Sequence, residues 1–211
     1  MDLPANGRDL PGEWGKTQRK NHREREEIHM QTRHISDISG LWEACAGEWT
    51  APASLPGTLD ENHIGGRDTG ENQWHPDEAL GSCDDLRVSP RILTRLTRLH
   101  TFEGPAFFSR ELELSPRPGE RVFLEAERSR ELTLAVNGKV APACIQGTVS
   151  TPYAFEITDL VREGKNSLTL CCDNSYPSWP YEAIVFSSAA TDETQTNWNG
   201  ILGYLRLRYE K

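Results

Sequence analysis

Leu132-Thr133-Leu134-Ala135-Val136-Asn137-Gly138-Lys139 is the stretch whose reading decides the fold. Leu132, Leu134 and Val136 alternate with Thr133 and Ala135, the period of a strand with one buried face. The Asn137-Gly138 pair then supplies the strongest short-range hairpin signal, because both central residues of the matching turn need positive φ. The same pattern repeats on either side. Upstream, Phe107-Phe108-Ser109-Arg110-Glu111-Leu112-Glu113-Leu114 ends at Pro116, and a Pro118-Gly119 turn leads into Val122-Phe123-Leu124-Glu125-Ala126. Downstream, Tyr153 to Ile157 reads as a strand and Thr158 to Val161 as a short turn or helix. Gly164-Lys165-Asn166 turns the chain into Ser167 to Cys172, and Tyr181 to Ser187 and Ile201 to Tyr209 complete the set. Many short strands between Gly, Pro and Asn turns, with no long helical pattern, predict an all-β fold: a two-sheet antiparallel sandwich.

Further toward the N-terminus the signal thins. Ile38 to Ala44 reads as a first strand and Leu55 to Gly65 as a loop rich in turn formers. Gly66 to Arg91 is polar and holds Gln73-Trp74-His75-Pro76; loops this long are usually functional or disordered. In residues 1–34, Lys16, Arg19, Lys20, Arg23, Arg25 and Arg33 face Glu24, Glu26 and Glu27, with almost no apolar residue between Gly15 and Met30. Such a segment cannot bury enough surface to fold alone. The expectation is a disordered or loosely helical N-terminal tail over 1–34 and a sandwich domain over 35–211. Met1 and Met30 are the only methionines, and the recognisable domain begins just after the second, so Met30 is the expected natural start.

Bulk properties exclude several functions. A net charge of −9 argues against a nucleic-acid binder. No apolar run approaches the roughly 20 residues of a membrane span. Met1 to Gly12 lacks the apolar core of a secretory signal. The five cysteines show no C-x-x-C spacing and read as reduced thiols in a cytoplasmic protein. Cys171 and Cys172, adjacent on a strand, should point to opposite faces. The six histidines form no metal pattern, and neither a nucleophile elbow nor a phosphate loop is present, so no metal and no cofactor are expected.

The functional signal is strongest near the end, in Thr194-Gln195-Thr196-Asn197-Trp198-Asn199-Gly200-Ile201-Leu202-Gly203, a polar and aromatic loop running into a strand. Such loops often meet small hydroxylated ligands. Together with Leu55-Pro56-Gly57-Thr58-Leu59-Asp60-Glu61, Phe102-Glu103-Gly104-Pro105-Ala106-Phe107-Phe108-Ser109-Arg110, Val136 to Lys139, and Tyr153 to Leu160 followed by Gly164 to Leu168, it resembles the N-terminal sugar-binding domain of glycoside hydrolase family 2, the β-galactosidase-like enzymes. The resemblance covers about residues 36–209. One departure is Glu193, which stands after Asp192 where the family pattern often carries a histidine.

The resemblance implies a jelly-roll, galactose-binding-like sandwich. It also implies a family reaction in which a terminal β-linked sugar is hydrolysed with retention by two carboxyl groups about 5–5.5 Å apart. Those groups sit in a barrel of about 250 residues, which this chain is too short to contain. No catalytic residue is therefore assigned, and the chain alone is expected to be inactive. The implied sugar-facing residues, which would bind substrate only alongside a catalytic domain, are Asp192, Asn197, Trp198 and Asn199, with Asp60, Glu61 and Asn62 as a second group; amides, carboxylates and an aromatic platform are what a sugar ring needs. The bland alternative is that Trp198 plugs a corner of the core and the asparagines bond turn backbone. Trp74, His75, Trp179 and Tyr181 are further aromatic candidates. The implied partners are a carbohydrate with a terminal β-linked sugar and downstream catalytic domains or a separate catalytic chain; a free carbohydrate-binding module is the other reading.

Overall fold

The hairpin forms as its residues dictate. In the computed structural model, which describes residues 33–67, 99–144, 150–180 and 197–211, β9 (Glu131–Val136) turns through Asn137 and Gly138 into β10 (Lys139–Val140). Asn137 and Gly138 take φ of 52° and 76°, the left-handed pair that lets a two-residue turn follow strand twist. A second two-residue turn, with Gly47 at φ 59°, joins β2 (Gly40–Ala46) to β3 (Trp49–Leu55).

The larger sheet has the order β10-β9-β12-β7-β2-β3, with β7 at Pro105–Leu114 and β12 at Gly164–Asp173. The smaller has the order β1-β14-β8-β11, formed by β1 (Arg33–Asp37), β14 (Leu205–Glu210), β8 (Arg121–Ala126) and β11 (Tyr153–Glu156). Every pairing in both is antiparallel. The chain changes sheet from β7 to β8, back at β9, and again at β11 and β12. Alternate residues point inward: Trp42, Phe108, Leu134, Leu168 and Leu170 from one sheet meet Val122, Leu124, Phe155, Leu205 and Leu207 from the other in one buried cluster. The all-β sandwich is thus the observed fold, and among the described residues no helix occurs.

β8 is buried on both faces. Its outward Phe123 lies under the guanidinium groups of Arg208 and Arg121, 4.0 and 4.8 Å from the ring centre. Outward-facing Glu125 accepts hydrogen bonds from Arg208 at 2.5 Å and Arg206 at 2.8 Å. Burial raises the Glu125 carboxyl, but the hydrogen bonds and the charges of Arg208 and Arg206 together outweigh it and hold it below the usual glutamate range.

Several boundaries differ from expectation. Arg33 and His34 belong to β1, paired with Glu210 and Tyr209, so the sandwich begins before residue 35. The expected first strand starts at Gly40 rather than Ile38, because the Asp37 carboxylate accepts from both the backbone N–H and the hydroxyl of Ser39 and bends the chain there. Gly164-Lys165-Asn166 is not a turn but the start of β12; the turn lies earlier and is closed by the Asn166 side chain, which bonds the N–H and carbonyl of Arg162. Ile201 to Tyr209 is not one strand, since Leu202 and Gly203 leave β13 (Gly200–Ile201) to bond the carbonyls of Arg128 and Glu127. The tail 1–32, the stretch with Trp74 and His75, the strand expected at Tyr181 to Ser187, and Cys83 lie outside the described residues.

Candidate functional site

At one end of the sandwich, Thr58 to Ile64 forms a single helix-like turn closed at both ends. The Thr58 hydroxyl accepts the Glu61 N–H at 3.1 Å, and the Glu61 carboxylate accepts the Thr58 N–H at 2.8 Å. This reciprocal Thr-x-x-Glu pair is a capping box. The turn ends where His63, at φ 59°, sends its N–H to the Asp60 carbonyl and Ile64 sends its own to the Leu59 carbonyl, a left-handed helix stop. Asn62 ties the turn to β3, accepting from the Ser54 N–H at 2.7 Å and donating to the Thr58 carbonyl at 2.8 Å. The Asp60 carboxylate accepts the N–H groups of Leu99 and His100 at 3.0 and 2.6 Å and so anchors β6 (His100–Thr101).

The 197–201 segment is held beside this turn by Asn174, which is fully buried. The Asn174 side chain accepts from the Gly104 N–H at 2.9 Å and the Asn199 amide at 3.1 Å, and donates to the carbonyls of Phe102 and Asn197 at 2.9 and 3.2 Å. Asn197 in turn donates to the Asn174 carbonyl. The Asn199 carbonyl accepts the Leu59 N–H, and Gly200 pairs with Thr58 in the short ladder of β13 and β4 (Gly57–Thr58). Four segments are thus joined by polar bonds that nothing in the local sequence announces.

Between them lies a pocket of about 210 Å³ lined by Asp60, Glu61, His100, Phe102, Trp198, Asn199 and Leu202, among others. The Trp198 ring is half-buried and carries the Arg130 guanidinium 4.6 Å from its centre. The His100 and His63 rings meet edge to face at 5.5 Å. The structure therefore brings Asn197, Trp198 and Asn199 together with Asp60 and Glu61. It gives Asn62 a bracing role and puts Asn197 and Asn199, 3% and 4% exposed, largely inside the network. Asp192, Glu193 and Tyr181 lie outside the described residues. Trp179 is exposed and does not line this pocket. His100, Arg130 and Asn174 were missed in the sequence. Only the capping box, Thr58 with Glu61, had a local signature that could have been read.

Among the described residues no group of three or more His, Cys, Asp or Glu is placed to hold a metal, and no helix is long and apolar enough to cross a membrane.

No family model matches the chain, and no curated protein matches it. Solved structures do. An FMN-binding β-glucuronidase from Faecalibacterium prausnitzii L2-6 is 20% identical over 85% of this chain, with a TM-score of 0.50. A β-glucuronidase from Bifidobacterium dentium, complexed with coumarin-3-O-glucuronide, is 15% identical over 84% of the chain, with a TM-score of 0.53. A rhamnosidase from Novosphingobium sp. PP1Y is 18% identical over 85%, with a TM-score of 0.50. The chain spans 23%, 30% and 15% of those proteins respectively. It has the fold of one β-sandwich portion of larger glycosidases.

Proposed function

We propose that this chain is the sugar-binding domain, of jelly-roll, galactose-binding-like type, of a glycoside hydrolase family 2 protein in carbohydrate metabolism. The observation that carries the reading is the shared pocket, where the Asp60-Glu61 turn and the Asn197-Trp198-Asn199 segment, both singled out by the family resemblance, meet. Trp198 supplies an apolar platform for a ring face, and Asp60 and Glu61 supply acceptors for hydroxyls. The pocket forms one wall of the subsite for a terminal β-linked sugar. The catalytic carboxyl pair comes from a barrel, either in the same polypeptide or in a separate chain. Fold alone does not choose the sugar, since similar sandwiches occur in β-glucuronidases and in a rhamnosidase; a β-galactoside follows from the resemblance. The reading includes a reducing, cytoplasmic setting, supported by four free cysteines among the described residues.

Titration of the chain together with its catalytic barrel with methyl β-D-galactopyranoside, followed by tryptophan emission, tests this. Saturable quenching is expected, and Trp198→Ala should abolish it without lowering the melting temperature by more than a few degrees. Quenching that persists unchanged in Trp198→Ala overturns the site. The chain alone should not turn over a chromogenic β-galactoside or β-glucuronide; turnover that survives repurification overturns that expectation.

A further inference from the structure

We propose that Arg130 is the positioning residue of the pocket: its guanidinium fixes the Trp198 ring in the wall that a ligand meets. This rests on the sugar-site reading above and adds the residue that holds the platform. Arg130 sits in the loop 127–130 between β8 and β9 and is 2% exposed. A guanidinium removed from water is kept only where its contacts repay the loss. Two of those contacts are aromatic faces. The charge lies 4.6 Å from the centre of the Trp198 ring and 5.9 Å from that of Tyr176, both within cation–π range. Trp198 lines the pocket and Arg130 does not. Arg130 therefore meets a ligand only through the ring it carries.

The backbone around Arg130 is held to the same end. The Tyr153 hydroxyl donates to the Arg130 carbonyl. The Leu202 N–H donates to the Arg128 carbonyl at 3.0 Å, and the Gly203 N–H to the Glu127 carbonyl at 3.0 Å. Leu202 also lines the pocket. One short loop thus grips two apolar lining residues, Trp198 by a side chain and Leu202 by a carbonyl. Strain points to the same place. Among the described residues, the non-glycine positions with left-handed φ are His63, Arg128, Asn137 and Tyr176. His63 and Asn137 close turns. Arg128, at 57°, stands two residues before Arg130, and Tyr176, at 53°, brings its ring to the Arg130 guanidinium. Side chains of that size adopt this backbone only at a cost, and such costs gather at functional sites. Packing alone would be met by an apolar side chain at position 130, with no charge to bury.

The test is NMR on the full ¹⁵N-labelled chain, first alone and then together with its catalytic barrel, in Arg130→Met and Arg130→Lys. The Trp198 indole resonance is identified by its loss in Trp198→Phe. In the chain alone, Arg130→Met should move that resonance and lower its heteronuclear NOE, while the indoles of Trp42 and Trp49 stay in place. Arg130→Lys, which restores a cation, should recover part of both. Together with the barrel, Arg130→Met should bind methyl β-D-galactopyranoside about tenfold more weakly than the unaltered protein, with Arg130→Lys between them. If Arg130→Met does not fold, Arg130→Lys decides, through the Trp198 resonance read against Trp42 and Trp49. An unchanged Trp198 resonance overturns the positioning role. A disturbed resonance with unchanged galactoside affinity overturns its part in binding. Equal disturbance of Trp42 and Trp49 places Arg130 in folding alone and overturns the inference as well. No galactoside response at Trp198 in the unaltered protein overturns the sugar-site reading, and the resonance in the chain alone then decides whether Arg130 holds the ring.

Discussion

Asn174 shows how much one buried amide can organise. Its side chain makes four hydrogen bonds to Phe102, Gly104, Asn197 and Asn199, filling two donor and two acceptor positions. Asn174→Ala leaves several of these partners buried and unpaired, at about 1–3 kcal/mol each before relaxation. A loss of about 3 kcal/mol in urea unfolding is expected, together with loss of any sugar response at Trp198. A loss below about 1 kcal/mol would show that the network is dispensable. The thiols make a second prediction at this scale. Burial pushes the Cys172 thiol up to about 12, and burial, then the charge of Asp173, raises Cys171. Cys45 is exposed. Because the thiolate is the reactive form, alkylation at pH 8 followed by peptide mapping should, among the four cysteines of the described residues, label Cys45 first and Cys172 last.

At the scale of elements, two glycines with positive φ serve different ends. Gly138, in the β9–β10 turn, has open space where a side chain would go, so Gly138→Ala meets only backbone strain, about 1 kcal/mol. Gly200 stands 2.4 Å, measured from the Cβ it lacks, from the Gly57 carbonyl oxygen. Gly200→Ala must push β13 away from β4 and with it the Asn199–Leu59 contact. It should cost clearly more stability than Gly138→Ala and disturb the Trp198 emission spectrum. Equal melting temperatures for the two variants would mean that the short ladder does not hold the pocket together.

Over the whole molecule, the smaller sheet depends on a charged outer layer as well as on its apolar inner face. Glu125 accepts from two arginines of β14, and its carboxyl is held low. A carboxyl depressed on folding contributes stability above its unfolded pKa, about 4.3, and loses that contribution as pH falls through the folded value. Glu125→Gln should therefore destabilise the domain by about 2 kcal/mol at pH 7. That difference should shrink steadily below about pH 4, as followed by urea midpoints from pH 7 to 3. A difference independent of pH would place the effect in packing rather than charge.

What the sequence determined by itself was the all-β class and most strand positions, because both follow from local rules. Alternation of Leu132, Leu134 and Val136 needs only side-chain period, and Asn137-Gly138 needs only backbone φ preference. The residues that meet at the pocket were also nameable in part, since Trp198 and Asp60 stand in recognisable motifs. The tertiary structure alone decided which of them line the pocket and which brace it. Asn197 and Asn199 read as sugar contacts in sequence, yet their amide donors bond Asn174 and Gly104, partners brought near only by the packing of β7 and β12. The break between β13 and β14 was likewise invisible, because it depends on the carbonyls of Glu127 and Arg128 across the sandwich. Hydrogen bonds between residues far apart in the chain carry no periodicity, so no local pattern can announce them.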